Sequence, residues 1–339
     1  MKIDIIINAG ATLDEVAELG LLAEKNGIHR LWASSFAGAR DPFITLSGLA
    51  RESRIIGLGV MPLSPYEMQP LKISDALLTL NELCDGRAAI LIGGLGQSGA
   101  RAMGIRPHKR VRAVRECVEI LKNTSSGAPL TYDGEMYRTG NYYPSWARSR
   151  PPLIYIAASE PQMLKMAGRV ADGVMLSDVT LARMDGQLEP IWDGMTTVSK
   201  PRADFYINNF MAWHIRKNKD DARREAKQEL VWRGLLQKRY TSEFLMEEES
   251  EFVESKWGAF LQAFLNKTDV IEGVPDAIVD ALVDNLTFTG DFDDVDRVVD
   301  ELKAYEAAGL NEIALKLHGE PAQSIEVLGG QVVPALSEN

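Results

Sequence analysis

The sequence contains few of the residues that build metal centres and disulfide frameworks. Its 339 residues include 2 cysteines and 4 histidines, and neither an H-E-x-x-H nor a C-x-x-C spacing occurs. The two cysteines, Cys84 and Cys117, lie in helical apolar patterns, which favours buried thiols over a disulfide. We therefore predict a fold without covalent crosslinks and without a metal site.

An excess of positive charge and long apolar runs are also absent. The formal net charge of −11 at pH 7 disfavours general binding to nucleic-acid phosphates. No apolar run reaches the roughly 20 residues that span a bilayer, and no signal-peptide pattern precedes the first strand-like segment. These absences predict a cytoplasmic protein with no nucleic-acid or membrane partner. The hydrophobic fraction of 45% is that of an ordinary globular enzyme.

What the sequence does contain is a regular alternation of strand-like and helix-like segments. Short apolar runs precede amphipathic stretches, and the connections between them are short, which predicts a parallel sheet. The predicted strands are 3–7, 30–33, 55–60, 88–92, 153–157, 174–176, 204–213 and 312–317. Eight strands alternating with helices predict an α/β fold, a (β/α)8 TIM barrel that forms a single domain over 1–339.

Two segments interrupt this alternation and are predicted to be insertions. Residues 124–150 are rich in Ser, Gly, Pro, Tyr and Arg and predict a surface loop with a small hairpin near 131–137. Residues 219–286 have a helical pattern throughout, and 241–270 is the predicted helical insertion. The runs of charged residues in 219–286 indicate solvated helix faces, with a lid or an oligomer contact as the alternative.

Residues 152–177 predict a strand, a turn of small residues, a helix and a second strand. Ala157, Ala158 and Ser159 follow the first strand, and Pro161 suits the first turn of a helix. The free N–H groups at such a helix start can bind a phosphate. An ordinary strand–helix repeat explains the spacing equally well.

Four segments, taken in order, resemble the luciferase-like superfamily of flavin- and deazaflavin-dependent oxidoreductases. The resemblance is strongest to its coenzyme F420-dependent methylenetetrahydromethanopterin reductases, and it covers most of the chain except roughly 180–286. The segments are Leu31-Trp32-Ala33 with Asp41-Pro42-Phe43, Ile56 to Val60 with Pro65-Tyr66 and Pro70, Thr79 to Arg87 running into Ile92-Gly93-Gly94, and 152–173.

The resemblance implies a barrel whose strand ends hold a deazaflavin ring, with coenzyme F420 as the cofactor and FMN as the alternative. In this superfamily a backbone bulge on the third strand, often with a non-prolyl cis peptide, supports the ring; Gly59-Val60 is the matching place, although a plain strand end is the simpler interpretation. The implied cofactor-binding residues are Gly59, Val60, Met61, Gly94, Ala158, Ser159, Glu160 and Ser177. Glu160 departs from the family, which commonly has Gly there. The resemblance also implies a homodimer through the second and third helices.

Candidate catalytic residues are few. Related sugar dehydrogenases carry an Asp-His pair after the second strand, and Ser34 and Ser35 stand in the matching positions here. Neither hydroxyl is a useful base at neutral pH without a partner, which disfavours alcohol oxidation of that kind. Ser34, Ser35 and Gln97 remain candidates for hydrogen bonds to the ring edge or to a substrate.

The histidines do not group in sequence. His214 and His318 each follow a predicted strand, a position that often holds catalytic groups in barrels, although a core or surface histidine is the favoured interpretation. The sequence thus predicts an oxidoreductase that moves a hydride between a deazaflavin and a small organic substrate. The alternatives are an FMN-dependent monooxygenase that uses oxygen and a non-catalytic flavin-binding barrel.

Overall fold

The structure, a computed structural model, describes residues 1–337. The strands are β1 (Lys2–Ile6), β2 (Arg30–Ser34), β3 (Gly57–Leu63), β4 (Ala88–Ile92), β5 (Leu130–Asp133), β6 (Arg138–Tyr142), β7 (Leu153–Ala157), β8 (Gly173–Ser177), β9 (Tyr206–Arg216), β10 (Thr287–Asp291) and β11 (Glu312–Leu317). Eight of them pair in parallel in the order β1-β2-β3-β4-β7-β8-β9-β11, and β11 pairs with β1. The barrel is closed, and the predicted (β/α)8 fold is confirmed.

Helices surround the barrel and begin where the sequence provides caps. Thr12 and Glu15 form a capping box at the first helix, and Asp41 accepts a hydrogen bond from the Ile44 N–H at the second, so N–H groups at both helix starts are satisfied. Among residues 1–337, no helix is both long and apolar enough to cross a membrane. The helices are α1 (Leu13–Lys25), α2 (Pro42–Glu52), α3 (Pro70–Leu83), α4 (Gln97–Ala102), α5 (Arg110–Thr124), α6 (Pro161–Val170), α7 (Met184–Thr196), α8 (Lys219–Glu229), α9 (Lys238–Thr241), α10 (Glu247–Ser255), α11 (Trp257–Asn266), α12 (Asp276–Leu286), α13 (Val295–Ala307), α14 (Pro321–Val327) and α15 (Val333–Ser337).

The two interrupting segments contain the elements that depart from the barrel repeat. Strands β5 and β6 form an antiparallel hairpin within 124–150, and α10 and α11 lie within 241–270. Strand β10 was not predicted. It pairs with the upper half of β9, from Ala212 to Arg216. Because α12 ends at Leu286 and β10 begins at the next residue, no turn residue separates the two apolar patterns.

Alternate positions on the strands face two different cores. The larger core fills the space between the strands and the helices and contains Cys84 and Cys117, both free thiols as predicted. The smaller core lies inside the barrel and contains Ile6, Trp32, Met61, Ala89, Leu91, Tyr155, Met175 and Ala314. The period-2 alternation of a strand therefore decides which side chains can reach the mouth of the barrel.

A buried polar network closes the amino end of the barrel. The Asp4 carboxylate accepts hydrogen bonds from Trp32 Nε1 at 2.8 Å, Asn208 Nδ2 at 2.9 Å and Arg30 Nη1 at 3.2 Å, and it lies 2.8 Å from His29 Nδ1. Burial raises the pKa of Asp4, but these partners outweigh burial and hold it below its usual value. A paired network at this end of a barrel serves stability.

Candidate functional site

The third strand is irregular where it approaches the carboxyl end of the barrel. Val60 pairs with Ile90 and Leu63 pairs with Ile92, so two residues of β3, Met61 and Pro62, face one residue of β4. This arrangement is a β-bulge, one to two residues beyond the predicted place. The residues described, 1–337, contain no cis peptide bond, so the cis peptide that the resemblance suggested is not found here.

Gly93 joins this bulge to the turn after β7. A Cβ atom built on Gly93 would lie 3.6 Å from the Cβ atom of Pro62 and 3.7 Å from the Cβ atom of Ala157. The bulge and the small-residue turn are therefore neighbours at one end of the barrel. A planar ligand that contacts the bulge would lie beside the turn.

Within the predicted segment, only Met61 has a side chain on the inner face near the mouth. It is 7% exposed and belongs to the inner core. Gly59 lies deeper, where a Cβ atom would be 2.1 Å from a ring carbon of Trp32, and Val60 points outward into the core beneath the helices. Gly59 makes room for an indole, and Val60 packs against helices.

The turn after β7 fits an anion. Ala157, Ala158 and Ser159 are half-buried, and α6 begins at Pro161 with no side-chain cap from the N-cap residue Glu160. The N–H groups of the first helical turn are thus left without a capping side chain, and the helix dipole places partial positive charge there. Ser177 ends the neighbouring strand β8, half-buried.

Glu160 does not oppose an anion as strongly as its charge suggests. Its carboxylate is largely exposed and forms an ion pair with the guanidinium of Arg239 on α9. Arg239 also lies over the ring of Tyr240, 5.1 Å from its centroid. A cation therefore stands beside the turn, supplied by a helix that the sequence pattern did not connect with this site.

A buried ion pair anchors the segment that carries Arg239 to the end of β8. Asp178 accepts hydrogen bonds from Arg233 Nη1 at 3.0 Å and from the Gly234 N–H at 2.9 Å. Both charged side chains are almost fully buried. Burial raises the pKa of Asp178, and Arg233 opposes that rise. The pair holds the loop before α9 against the carboxyl end of the barrel.

The remaining predicted residues lie at the same end. Ser34 ends β2 and is half-buried, and the Ser35 N–H donates a 2.6 Å hydrogen bond to the Met61 carbonyl. That bond ties the loop after β2 to the bulge. Gln97 is the exposed first residue of α4. Gly94 is half-buried, and a Cβ atom there would lie 3.5 Å from the Arg110 side chain.

Sequence reasoning missed a lysine at the same end of the barrel. Lys316 occupies an inward position of β11, and its Nζ donates a 2.7 Å hydrogen bond to the carbonyl of Ile7, just beyond β1. Burial and the nearby charge of Arg233 lower the pKa of Lys316 to about 8. The alternation Glu312, Ala314, Lys316 along one strand face was the signal that could have revealed it.

These features define a class of protein: a barrel enzyme in which a turn of small residues, at an uncapped helix start, lies beside a bulged strand at the mouth. The sequence model of the luciferase-like monooxygenase family matches residues 2–312, so the chain belongs to this family. The prediction of an oxidoreductase of this superfamily is confirmed.

Individual relatives are consistent with this assignment. The chain is 26% identical over 328 residues to the 5,10-methylenetetrahydromethanopterin reductase of Archaeoglobus fulgidus, covering 93% of each. Its fold resembles the coenzyme F420-dependent tetrahydromethanopterin reductase of Methanopyrus kandleri, with a TM-score of 0.82, 20% identity and 98% of each chain covered. It also resembles the monooxygenase RslO1 of Streptomyces bottropensis, with a TM-score of 0.71 and 18% identity over 99% of this chain and 100% of that one.

Proposed function

We propose that this protein uses coenzyme F420, in its reduced form, to deliver a hydride to a small organic substrate. The observation that carries the proposal is the contact of the β3 bulge and the β7 turn through Gly93. It brings a support for a flat ring and a cradle for a phosphate to one end of the barrel. The reductase from Archaeoglobus fulgidus, similar over nearly its whole length, supports the same choice.

The residues present fit such a cofactor. The backbone N–H groups that follow Ala158 and Ser159 would hold the phosphate, with Arg239 as a nearby cation. The bulge, with the side chain of Met61, would support one face of the ring. Hydrogen bonds to the ring edge or to the substrate would come from Ser34, Ser35 and Gln97. The bound deazaflavin supplies the hydride chemistry, while the protein binds, orients and excludes water.

For the substrate we propose an electrophilic C=N or C=O carbon on a small organic molecule. A reduced pterin that carries a methylene group is the first compound to test, because the named relatives are methylenetetrahydromethanopterin reductases. The loops after the strands, among them the β5–β6 hairpin, would select the substrate.

The cofactor is tested by titrating the apo protein with F420 and with FMN and following the visible spectra. We expect micromolar binding of F420 and weaker binding of FMN. Ala158→Glu adds a carboxylate to the proposed phosphate turn and should weaken binding more than tenfold. Ala203→Glu adds the same charge in an exposed turn at the amino end of the barrel and should leave the affinity unchanged. Failure of both cofactors to bind would refute the proposal.

An FMN-dependent monooxygenase remains the second candidate, supported by the fold it shares with RslO1. Substrate-dependent oxygen uptake with reduced FMN would favour that activity. Anaerobic reduction of a substrate by reduced F420 would favour the reductase. Tight binding without turnover of any substrate tested would instead favour a barrel that only carries a flavin.

We also propose that the enzyme is a cytoplasmic homodimer that associates through α2 and α3. Each of these helices has an exposed apolar side chain, Ile44 at 61% and Leu83 at 41% exposure. Ile44→Asp should convert the dimer to a monomer in light scattering after size exclusion. Val270→Asp, at a 70% exposed position outside these helices, is the control. A monomeric parent protein would contradict the proposal.

A further inference from the structure

A cluster of titratable side chains lies at the carboxyl ends of β9 and β11, two and three strands around the barrel from β7. Lys316 faces into the barrel from β11, and its register partners are Ile6 of β1 and Ala212 of β9. The Nζ atom reaches the carbonyl of Ile7, where β1 ends. Because β1 is bonded to β2, the ammonium group lies one strand away from Ser34, on the inner face of the mouth.

Two stacked histidines extend the cluster. The rings of His214 and His318 are 4.6 Å apart between centroids and inclined by 22°. His214 Nδ1 is 2.8 Å from a Glu225 oxygen, and His318 Nδ1 is 3.8 Å from a Glu229 oxygen. Both Nε2 atoms are buried and have no hydrogen-bond partner among residues 1–337. Buried polar atoms are normally paired, so these two indicate a place that a ligand or water completes.

The electrostatics favour neutral forms in this cluster. Burial lowers the pKa of both histidines, burial raises the pKa of Glu229, and burial with Arg233 lowers that of Lys316 to about 8. The remaining charged groups, Arg216 and Glu225, are bonded to each other through 2.8 Å contacts. Lys316 is the member of this cluster that faces the barrel interior and reaches the end of β1, where its ammonium group donates to the Ile7 carbonyl.

We propose that Lys316 is the acid of the reaction, donating a proton to the substrate heteroatom as the hydride arrives; this inference rests on the proposed function. A C–H bond of the reduced cofactor breaks and a C–H bond of the substrate forms, so the cofactor loses two electrons and the substrate gains them. The electron pair of the C=N or C=O bond moves to the heteroatom, which takes a proton from the ammonium. The neutral amine then regains a proton from solvent.

The arrangement differs from a structural salt-bridge network in a specific way. At the amino end, Arg30 contacts the carboxylates of Asp4 and Glu312 at 3.2 and 3.4 Å. Lys316 has no carboxylate within ion-pair distance among residues 1–337, although Glu229 is near enough to raise its pKa. A lysine buried without a salt bridge keeps its proton weakly, which suits proton transfer at neutral pH.

The first experiment measures the lysine itself, without turnover. Competitive acetylation with acetic anhydride, resolved residue by residue by mass spectrometry, should show Lys316 becoming reactive near pH 8. The exposed Lys303 is the reference lysine, labelled in the same samples. Saturation with F420 should protect Lys316 and leave Lys303 unchanged. Reactivity of Lys316 on the ordinary lysine curve, or no protection by a cofactor that binds, would overturn the inference.

The second experiment compares Lys316→Met, Lys316→Arg and the control Lys303→Met. We expect Lys316→Met to fold, to bind F420 within about threefold of the parent, and to transfer hydride about 10²–10⁴-fold more slowly. The parent rate should fall above pH 8; Lys316→Arg should move that fall to higher pH, and Lys316→Met should lack it. If the parent binds neither cofactor, the proposed function fails as well. If Lys316→Met binds F420 and reacts at the parent rate with the parent pH profile, only the role of the lysine fails.

Discussion

Gly59→Ala should destabilise the barrel more than any typical surface substitution, because the indole of Trp32 occupies the space of the added methyl group. The new Cβ atom would lie 2.1, 2.4 and 2.6 Å from three carbons of that ring. The Trp32 side chain cannot move away from the added methyl group without disturbing its other contacts. It is fully buried, meets Tyr155 edge-on at 5.5 Å, and donates a 2.8 Å hydrogen bond to Asp4.

The magnitude follows from two effects. Overpacking a filled core costs about 1–3 kcal/mol, and displacing the indole weakens a hydrogen bond to a charged group that contributes about 1.5–3 kcal/mol. We therefore expect Gly59→Ala to lower the free energy of unfolding by about 3–5 kcal/mol. Against a total stability of about 5–15 kcal/mol, this loss would be plain in a urea titration followed by circular dichroism.

A second glycine provides the matched control. Gly186 lies in α7, and a Cβ atom there would meet no atom of residues 1–337 within 4 Å apart from the backbone of its own helix. The same change, Gly186→Ala, should raise stability by up to about 1 kcal/mol, because alanine is the better helix former. The reasoning fails if Gly59→Ala unfolds within about 0.5 kcal/mol of the parent, or if both variants shift in the same direction.

Three further predictions concern the rest of the barrel. Arg233→Met leaves Asp178 buried without its partner and should lower the urea midpoint by the equivalent of about 3–5 kcal/mol, whereas an unchanged midpoint would show that the pair contributes little. The Glu24 carboxylate accepts hydrogen bonds from the backbone N–H groups of residues 54–56. Burial raises the pKa of Glu24, but these hydrogen bonds outweigh burial, and the net pKa is lowered. The contribution of Glu24 to stability is therefore complete above the unfolded pKa of about 4.3 and is lost as pH falls through the lowered folded pKa. Glu24→Gln should make the free energy of unfolding fall less steeply as the pH is lowered through this range. An unaltered pH dependence would contradict this. Burial raises the pKa of the Cys84 and Cys117 thiols, so neither should react with Ellman's reagent until the chain unfolds; rapid labelling of the native protein would refute it.

The barrel strands were predictable because each carries a short apolar run bounded by turn residues. All eight predicted strands appear, with shifts of a few residues at their ends. Strand β10 was missed because Leu286 and Thr287 are adjacent members of a helix and a strand, with no Gly or Pro between them. The local sequence pattern does not reveal the boundary between α12 and β10, because that boundary depends on the pairing of β10 with β9.

The candidate site was predictable only in its local parts. The turn from Ala157 to Ser159 can be recognised in the sequence by its small residues before a proline. The ion pair between Glu160 and Arg239 depends on residues almost eighty positions apart, and no short-range signal connects them. The roles proposed for Ser34, Ser35 and Gln97 remain predictions, since the structure places them at the mouth without assigning their chemistry.

Asp4 at the amino end of the barrel and Lys316 at the carboxyl end are both buried charged groups, but they differ in how many partners hold them. At the amino end, Asp4 has four hydrogen-bonding partners, and removing the cationic one, Arg30, would leave the buried carboxylate without its guanidinium, at high cost. At the carboxyl end, Arg233 is likewise paired with Asp178, but within residues 1–337 Lys316 donates to the Ile7 carbonyl and has no carboxylate partner, and the His214 and His318 Nε2 atoms have no hydrogen-bond partner. A buried group with few partners lowers stability, and groups with pKa values perturbed in this way cluster at functional sites. The Asp4 network therefore contributes to stability at one end of the barrel, and the proposed acid lies at the other.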